Sequence, residues 1–257
     1  EEFKEYLKEM NQYDHVTGLL QWDMQTTVPK LGQAAHVDAL TYFSTKSFEM
    51  GTSEKLGEFL EKLAQPAEYD ALDDTWRFIV KRMKRDYDRN KRIPADLYEA
   101  FVRAAAESGN AWEEAKNASD FSIYAPHLRN MIEMTKQVIG YTDGKWRNYL
   151  EGSRYQLEDG SYLGAGWQFE EVKTELIPLV EQITAKKMPE NPTFHAYADP
   201  DAQRRVQWLL LDYIGFRRDA GAVGETEHPF TTNFSSKDVR VTNHYYETEP
   251  LSAMFSA

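Results

Sequence analysis

Apolar side chains recur along most of the chain at steps of three and four residues, the spacing that puts them on one face of an α-helix. Tyr69, Leu72, Trp76, Ile79, Val80, Met83 and Tyr87 form one such stripe. A second follows Pro94, whose fixed φ suits a first helical turn, and runs Leu97, Phe101, Ala104, Ala105, Ser108, Trp112 and Ala115. A third, Phe169, Val172, Leu176, Leu179, Val180 and Ile183, contains Pro178, which predicts a kink. A fourth opens on Asp199-Pro200, a cap followed by a first-turn proline. It predicts burial of Val206, Leu209, Leu210, Tyr213 and Ile214, and it stops at Gly215, which can adopt the left-handed conformation of a helix end. Shorter helical signals cover residues 3–20, 34–63 and 126–139.

Two regions depart from this period. Residues 140–167 hold six of the fourteen glycines among Tyr and Trp, and no period fits them. In residues 237–246 Val239 and Val241 alternate with Asp238, Arg240 and Thr242, which predicts a strand with one polar face. The fold class expected is mostly α, with a small β element near residues 237–246. No repeat or low-complexity linker divides the chain, so residues 1–257 are expected to form part of one domain.

Composition narrows the function. The chain has 257 residues, 41% hydrophobic and 13% aromatic, enough to build a core. It has no cysteine, which excludes disulfides, iron–sulfur clusters, Cys-ligated zinc and a thiol nucleophile. The 42 acidic against 30 basic side chains give a net charge of −12, which argues against nucleic acid as a partner. The basic run Lys81-Arg82-Met83-Lys84-Arg85 leads into Asp86 and Asp88 and reads as a solvated helix face. No apolar stretch approaches the roughly 18 residues of a membrane span. The N-terminal residues Glu1-Glu2-Phe3-Lys4-Glu5 carry no signal-peptide pattern, so a cytoplasmic protein is expected.

None of the six histidines lies three to five residues from another, so no H-x-x-x-H pair can aim two imidazoles at a metal. Glu225, Glu227 and His228 are close in sequence and form a weak loop candidate for a ligand cluster. There is no G-x-S-x-G and no Gly-rich phosphate loop. Adjacent carboxylates such as Asp73-Asp74 and Glu113-Glu114 do not face each other on a helix and read as surface charge. Two segments stand out. His228-Pro229-Phe230 is a rigid loop holding an imidazole beside a ring. Asp238, Arg240 and Thr242 lie on one side of the predicted strand, a setting suited to presenting a guanidinium to a carboxylate. The plainer alternative is an Asp–Arg pair closing a strand edge. Trp22-Asp23 with Thr26, Pro29 and Gly32 leaves an apolar helix for a turn, and structurally could be a buried Trp and a helix cap.

In this order the segments resemble the carboxypeptidase Taq family of thermostable zinc metallocarboxypeptidases. Residues 18–32, GLLQWDMQTTVPKLG, are similar to its G-L-L-x-W-D-x-x-T-x-M-P-x-x-G opening. Ala111–Lys116, Ser119-Asp120-Phe121, Pro126 and Leu128 are similar to its middle helices. His228-Pro229-Phe230 and Asp238–Thr242 match its H-P-F and D-x-R-x-T signatures. The departures are Val28, His36, Ala39 and His244, and residues 144–167 match poorly.

The resemblance implies a helical metallopeptidase fold around a deep groove, usually a homodimer, that removes C-terminal amino acids from peptides. Zinc is the metal implied, with cobalt accepted by related sites. The family's H-E-x-x-H helix would follow residues 251–257, so the resemblance passes no catalytic or metal-ligand role to this chain. What it does pass on is a groove-shaping role for His228, Asp238, Arg240 and Thr242. The alternative is a non-enzymatic scaffold or adaptor on the same fold. Met254 and Phe255 lead into no helix stop or polar tail, which favours a truncated enzyme over a natural scaffold.

Overall fold

The computed structural model describes residues 1–142, 154–156, 162–186 and 196–249, and these are mostly helical. The chain divides into two compact units, Glu1–Tyr13 with Thr41–Met188 and Asp14–Leu40 with Pro189–Ala257. Helices α1 (Glu2–Thr26) and α2 (Gln33–Gly51) each contribute residues to both.

The first unit continues through α3 (Glu54–Leu63), α4 (Pro66–Asp70), α5 (Asp74–Asn90), α6 (Ala95–Ala118) and α7 (Phe121–Tyr141). Strands β1 (Arg154–Gln156) and β2 (Tyr162–Gly164) then pair antiparallel, and α8 (Ala165–Thr184) follows. Its core gathers Phe3, Tyr6, Leu56, Leu60 and Val80, with Phe59, Tyr69, Leu72, Trp76, Met83 and Tyr87 packed against them. Those last five, with Val80, come from the first predicted stripe, but the helix is interrupted: the Asp73 carboxylate accepts from the Trp76 N–H at 2.9 Å and starts α5 afresh. Ser53 caps α3 in the same way, accepting from Leu56 N–H at 3.1 Å, and its hydroxyl also lies 2.8 Å from the Tyr6 hydroxyl. The capping role of Asp73 is one that a reading of surface charge does not anticipate.

The second stripe is partly redirected. Helix α6 begins just after Pro94 and buries Ala104, Ala106, Ser108, Ala111 and Ala115, while Ala105 faces out and Trp112 is 36% exposed. The small residues let α6 and α7 lie together as a helical hairpin, turned at Ser119, whose φ of 51° is left-handed. The third stripe is not buried: Val172, Leu176, Leu179, Val180 and Ile183 of α8 are each about half exposed. Pro178 lies inside that helix, and the Phe169 side chain falls outside the described residues.

In the second unit, α9 (Pro200–Tyr213) starts at Asp199, whose carboxylate accepts from Ala202 N–H at 3.0 Å, and Gly215 has the expected positive φ of 83°. The face it buries is not the one predicted. Gln203, Gln207 and Leu211 are buried, whereas Leu209, Leu210, Tyr213 and Ile214 are exposed. Amide hydrogen bonds make this polar face tolerable: Gln203 donates to Ala198 O and Tyr246 O, both at 2.9 Å, and Gln207 accepts from the Tyr245 hydroxyl.

Strands β3 (Gly221–Glu225), β4 (Thr231–Ser235) and β5 (Asp238–Asn243) form a sheet in the order β3-β5-β4, with β3 parallel and β4 antiparallel to β5. The predicted strand is therefore the central one, so the Asp238–Arg240 pair, which does form, lies on the middle strand and not on an edge.

Candidate functional site

The site is built where the second half of α1 meets the three-stranded sheet. Gly18, Trp22 and Thr26 follow one another at four-residue steps on one helix face. Gly18 lies under the Phe234 ring of β4, so close that a Cβ there would stand 2.7 Å from Cε1. His15, one turn earlier, meets the same ring edge-on at 5.0 Å. Trp22 stands edge-on to Phe230 at 5.6 Å, and Trp22 and Thr26 both press on the backbone of Gly224 in β3.

After Trp22 the helix ends in a compact turn. The amides of Thr27 and Val28 both donate to Asp23 O at 2.9 Å, and the Asp23 carboxylate accepts from the Thr27 hydroxyl and pairs with His36 Nε2 at 2.6 Å. His36 is thus an anchor for the turn. Trp22 is not a sealed core side chain but a half-buried one set among candidate residues.

His228-Pro229-Phe230 links β3 to β4. Thr242, fully buried on β5, secures it: its hydroxyl accepts from Phe230 N–H at 2.7 Å and donates to Phe230 O at 3.1 Å, and its own N–H donates to Phe230 O at 2.8 Å. The Thr226 hydroxyl donates to His228 O at 2.9 Å. Behind it, His244 Nδ1 lies 2.9 Å from Thr226 O, which requires the hydrogen on that nitrogen. The loop backbone is therefore tied at both ends while the His228 side chain is exposed.

Arg240 lies on the same strand, two residues before Thr242, and pairs across to Thr232 of β4. Its Nε and Nη2 each donate to one oxygen of Asp238 at 3.0 Å, a bidentate pair. Its guanidinium carbon lies 4.8 Å from the Phe234 centroid and 5.7 Å from that of Trp22. Hydrogen bonds from Arg240 hold the Asp238 carboxyl below the usual range, with the charges of Arg240 and His15 acting in the same direction. The same pair raises Arg240. Both groups stay charged, and the Nη1 edge of the fork is not used by Asp238. Of the four groove candidates, Asp238, Arg240 and Thr242 thus share one strand, and Thr242 reaches the His228 loop through Phe230.

Glu225 does not join His228 as a metal ligand; it pairs with Arg204 at 2.7 Å. Among the described residues no group of three or more His, Cys, Asp or Glu could hold a metal ion. Nor is any helix among the described residues long and apolar enough to cross a membrane. The groups that the motifs did not reveal are His15, Phe234 and Gly224; Gly18 opens the G-L-L-x-W-D segment, and the 18-22-26 spacing places it on the Trp22 face.

The sequence matches the carboxypeptidase Taq (M32) metallopeptidase family over residues 2–257, and the chain belongs to that family. It is 33% identical to Carboxypeptidase 1 of Bacillus subtilis over 99% of this chain and 50% of that protein. Against Thermostable carboxypeptidase 1 of Thermus thermophilus it is 28% identical over 95% of this chain and 50% of that protein. The BsuCP crystal structure superposes with a TM-score of 0.86 and 31% identity, covering 99% of this chain and 51% of its own. The Pyrococcus furiosus carboxypeptidase structure gives 0.75 at 24% identity, a likeness of fold, over 98% and 52%. The chain spans about half the length of the curated relatives it matches.

Proposed function

We propose that the intact protein is a zinc-dependent metallocarboxypeptidase releasing C-terminal amino acids from peptides, and that this chain supplies groove residues but no metal ligand. The family match over residues 2–257 carries the reading. In it, Arg240 orients a carboxylate of the peptide through its Nη1 edge, while Asp238 holds the opposite, Nε–Nη2 edge. The exposed His228 lines the same groove, and Thr242 holds the loop that carries it. The reading also makes the protein a cytoplasmic homodimer.

The test is amino-acid release from an N-blocked dipeptide by the full-length protein, before and after chelation. Chelator-sensitive release is expected, and Arg240→Lys should lower kcat/KM by about tenfold, because Lys cannot reproduce the fork. No release by the metal-loaded protein would return the non-enzymatic scaffold reading. Unchanged kinetics in a stably folded Arg240→Lys would leave Arg240 a purely structural residue.

A further inference from the structure

Trp22 uses three different parts of its surroundings at once. Its ring is 71° from the plane of Phe230, an edge-to-face contact. Arg240 lies over it, and an indole is the strongest aromatic partner for a guanidinium while leaving every N–H donor available. On its remaining side is the β3 backbone, where a Cβ on Gly224 would come 3.0 Å from Cζ2 and 3.4 Å from Cη2. A side chain that merely filled space would need volume alone. Here a flat ring, its edge contact and a missing Cβ are all used.

The consequence falls on the groove candidates. Asp238 fixes one edge of the Arg240 fork, and rotation about that edge is limited by the rings the flat cation rests on, Trp22 and Phe234. Phe230 is held through its backbone by Thr242 and through its ring by Trp22. One indole therefore bears on both the Arg240 plane and the loop that carries His228.

We propose that Trp22 is a positioning residue, setting the open edge of Arg240 and the His228–Phe230 loop in a single arrangement for peptide binding. The proposal rests on the carboxypeptidase reading above. Trp22 touches no substrate; it acts through Arg240 and Phe230.

Three variants of the full-length protein test it: Trp22→Phe, which retains a ring face and edge; Trp22→Leu, which retains only apolar volume; and Gly224→Ala, which pushes on the indole and removes no group. Trp22→Leu should raise KM for a blocked dipeptide about tenfold with a smaller change in kcat, and Trp22→Phe should recover most of that loss. Gly224→Ala should shift KM in the same direction by about twofold to fivefold, with Trp22 still present. In hydrogen exchange, the amides of Thr226, Glu227, His228 and Phe230 should exchange faster in Trp22→Leu than in Trp22→Phe. Equal KM values for the Phe and Leu variants, with any loss tracking melting temperature, would overturn the proposal. If the full-length wild type releases no amino acid, the carboxypeptidase reading fails by itself. The exchange comparison then decides: faster exchange in Trp22→Leu upholds the positioning role, and equal rates overturn it.

Discussion

Thr242 offers the sharpest test of how the His228 loop is held. Thr242→Val keeps the shape of a fully buried side chain and removes its hydroxyl. Two hydrogen bonds go with it, from Phe230 N–H at 2.7 Å and to Phe230 O at 3.1 Å. The carbonyl keeps the Thr242 N–H at 2.8 Å, so its loss is small. The Phe230 N–H is left without that acceptor, and stranding a part-buried donor costs about 1–3 kcal/mol. Taking about 2 kcal/mol, and roughly 2–4 °C per kcal/mol for 150–250 residues and about half that for a protein twice as long, the midpoint of the full-length protein should fall by about 2–4 °C. Thr242→Ser keeps the hydroxyl and loses one methyl group, which costs about 1 kcal/mol and half that shift. Thermal melting of the full-length protein by circular dichroism should therefore rank wild type above Ser and Ser above Val. In hydrogen exchange the Phe230 amide should lose protection in the Val variant alone. If Val proves as stable as wild type, or more stable than Ser, the hydroxyl does not secure the loop and packing of the methyl group does.

Three further outcomes follow from the same geometry. Because Arg240 lowers the folded-state Asp238 carboxyl, the pair stabilises the protein above the ordinary carboxylate value and loses that contribution as pH falls through the lowered one. Asp238→Asn should thus cost on the order of 1 kcal/mol or less at pH 7, since the pair is partly solvated, with the gap to wild type closing below about pH 4 in urea melts. Gly18→Val should lower the melting midpoint by several degrees, about 1–3 kcal/mol of overpacking against Phe234, and a neutral result would mean that the ring moves aside freely. The 257-residue chain, purified alone, should hold no stoichiometric zinc by elemental analysis and release no amino acid; one zinc per chain would overturn the assignment of no ligands to it.

The helices were largely legible from spacing, but spacing identifies an apolar face without naming what covers it. The stripe on α5 packs into a core with Phe3 and Leu60, whereas those on α8 and α9 are exposed. On α9 the buried face carries Gln203 and Gln207, and no hydropathy pattern marks an amide as buried, because its tolerance depends on acceptors and donors such as Tyr246 O and the Tyr245 hydroxyl far along the chain. Strand β5 showed itself through Val239 and Val241, but β3, GAVGE, and β4, TTNFS, lack strong alternation and are defined by their pairing with it. The motif residues of the site were legible as residue types. Which of them face a ligand was not: Thr242 and Arg240 share a strand, yet one hydroxyl is consumed by Phe230 while one guanidinium keeps an open edge.

The contact of Gly18 and Trp22 with Phe234 and Phe230 joins parts of the chain separated by about two hundred residues. At a synthesis rate of roughly 5–20 residues per second, the second half of α1 leaves the ribosome about 10–40 s before the rings that cover it exist. For that interval the Trp22 face has no native partner, and it becomes a stretch for chaperones to shield. The groove candidates can assemble only as strands β3, β4 and β5 emerge, so a chain stalled before them would carry every one of the early residues and none of the arrangement.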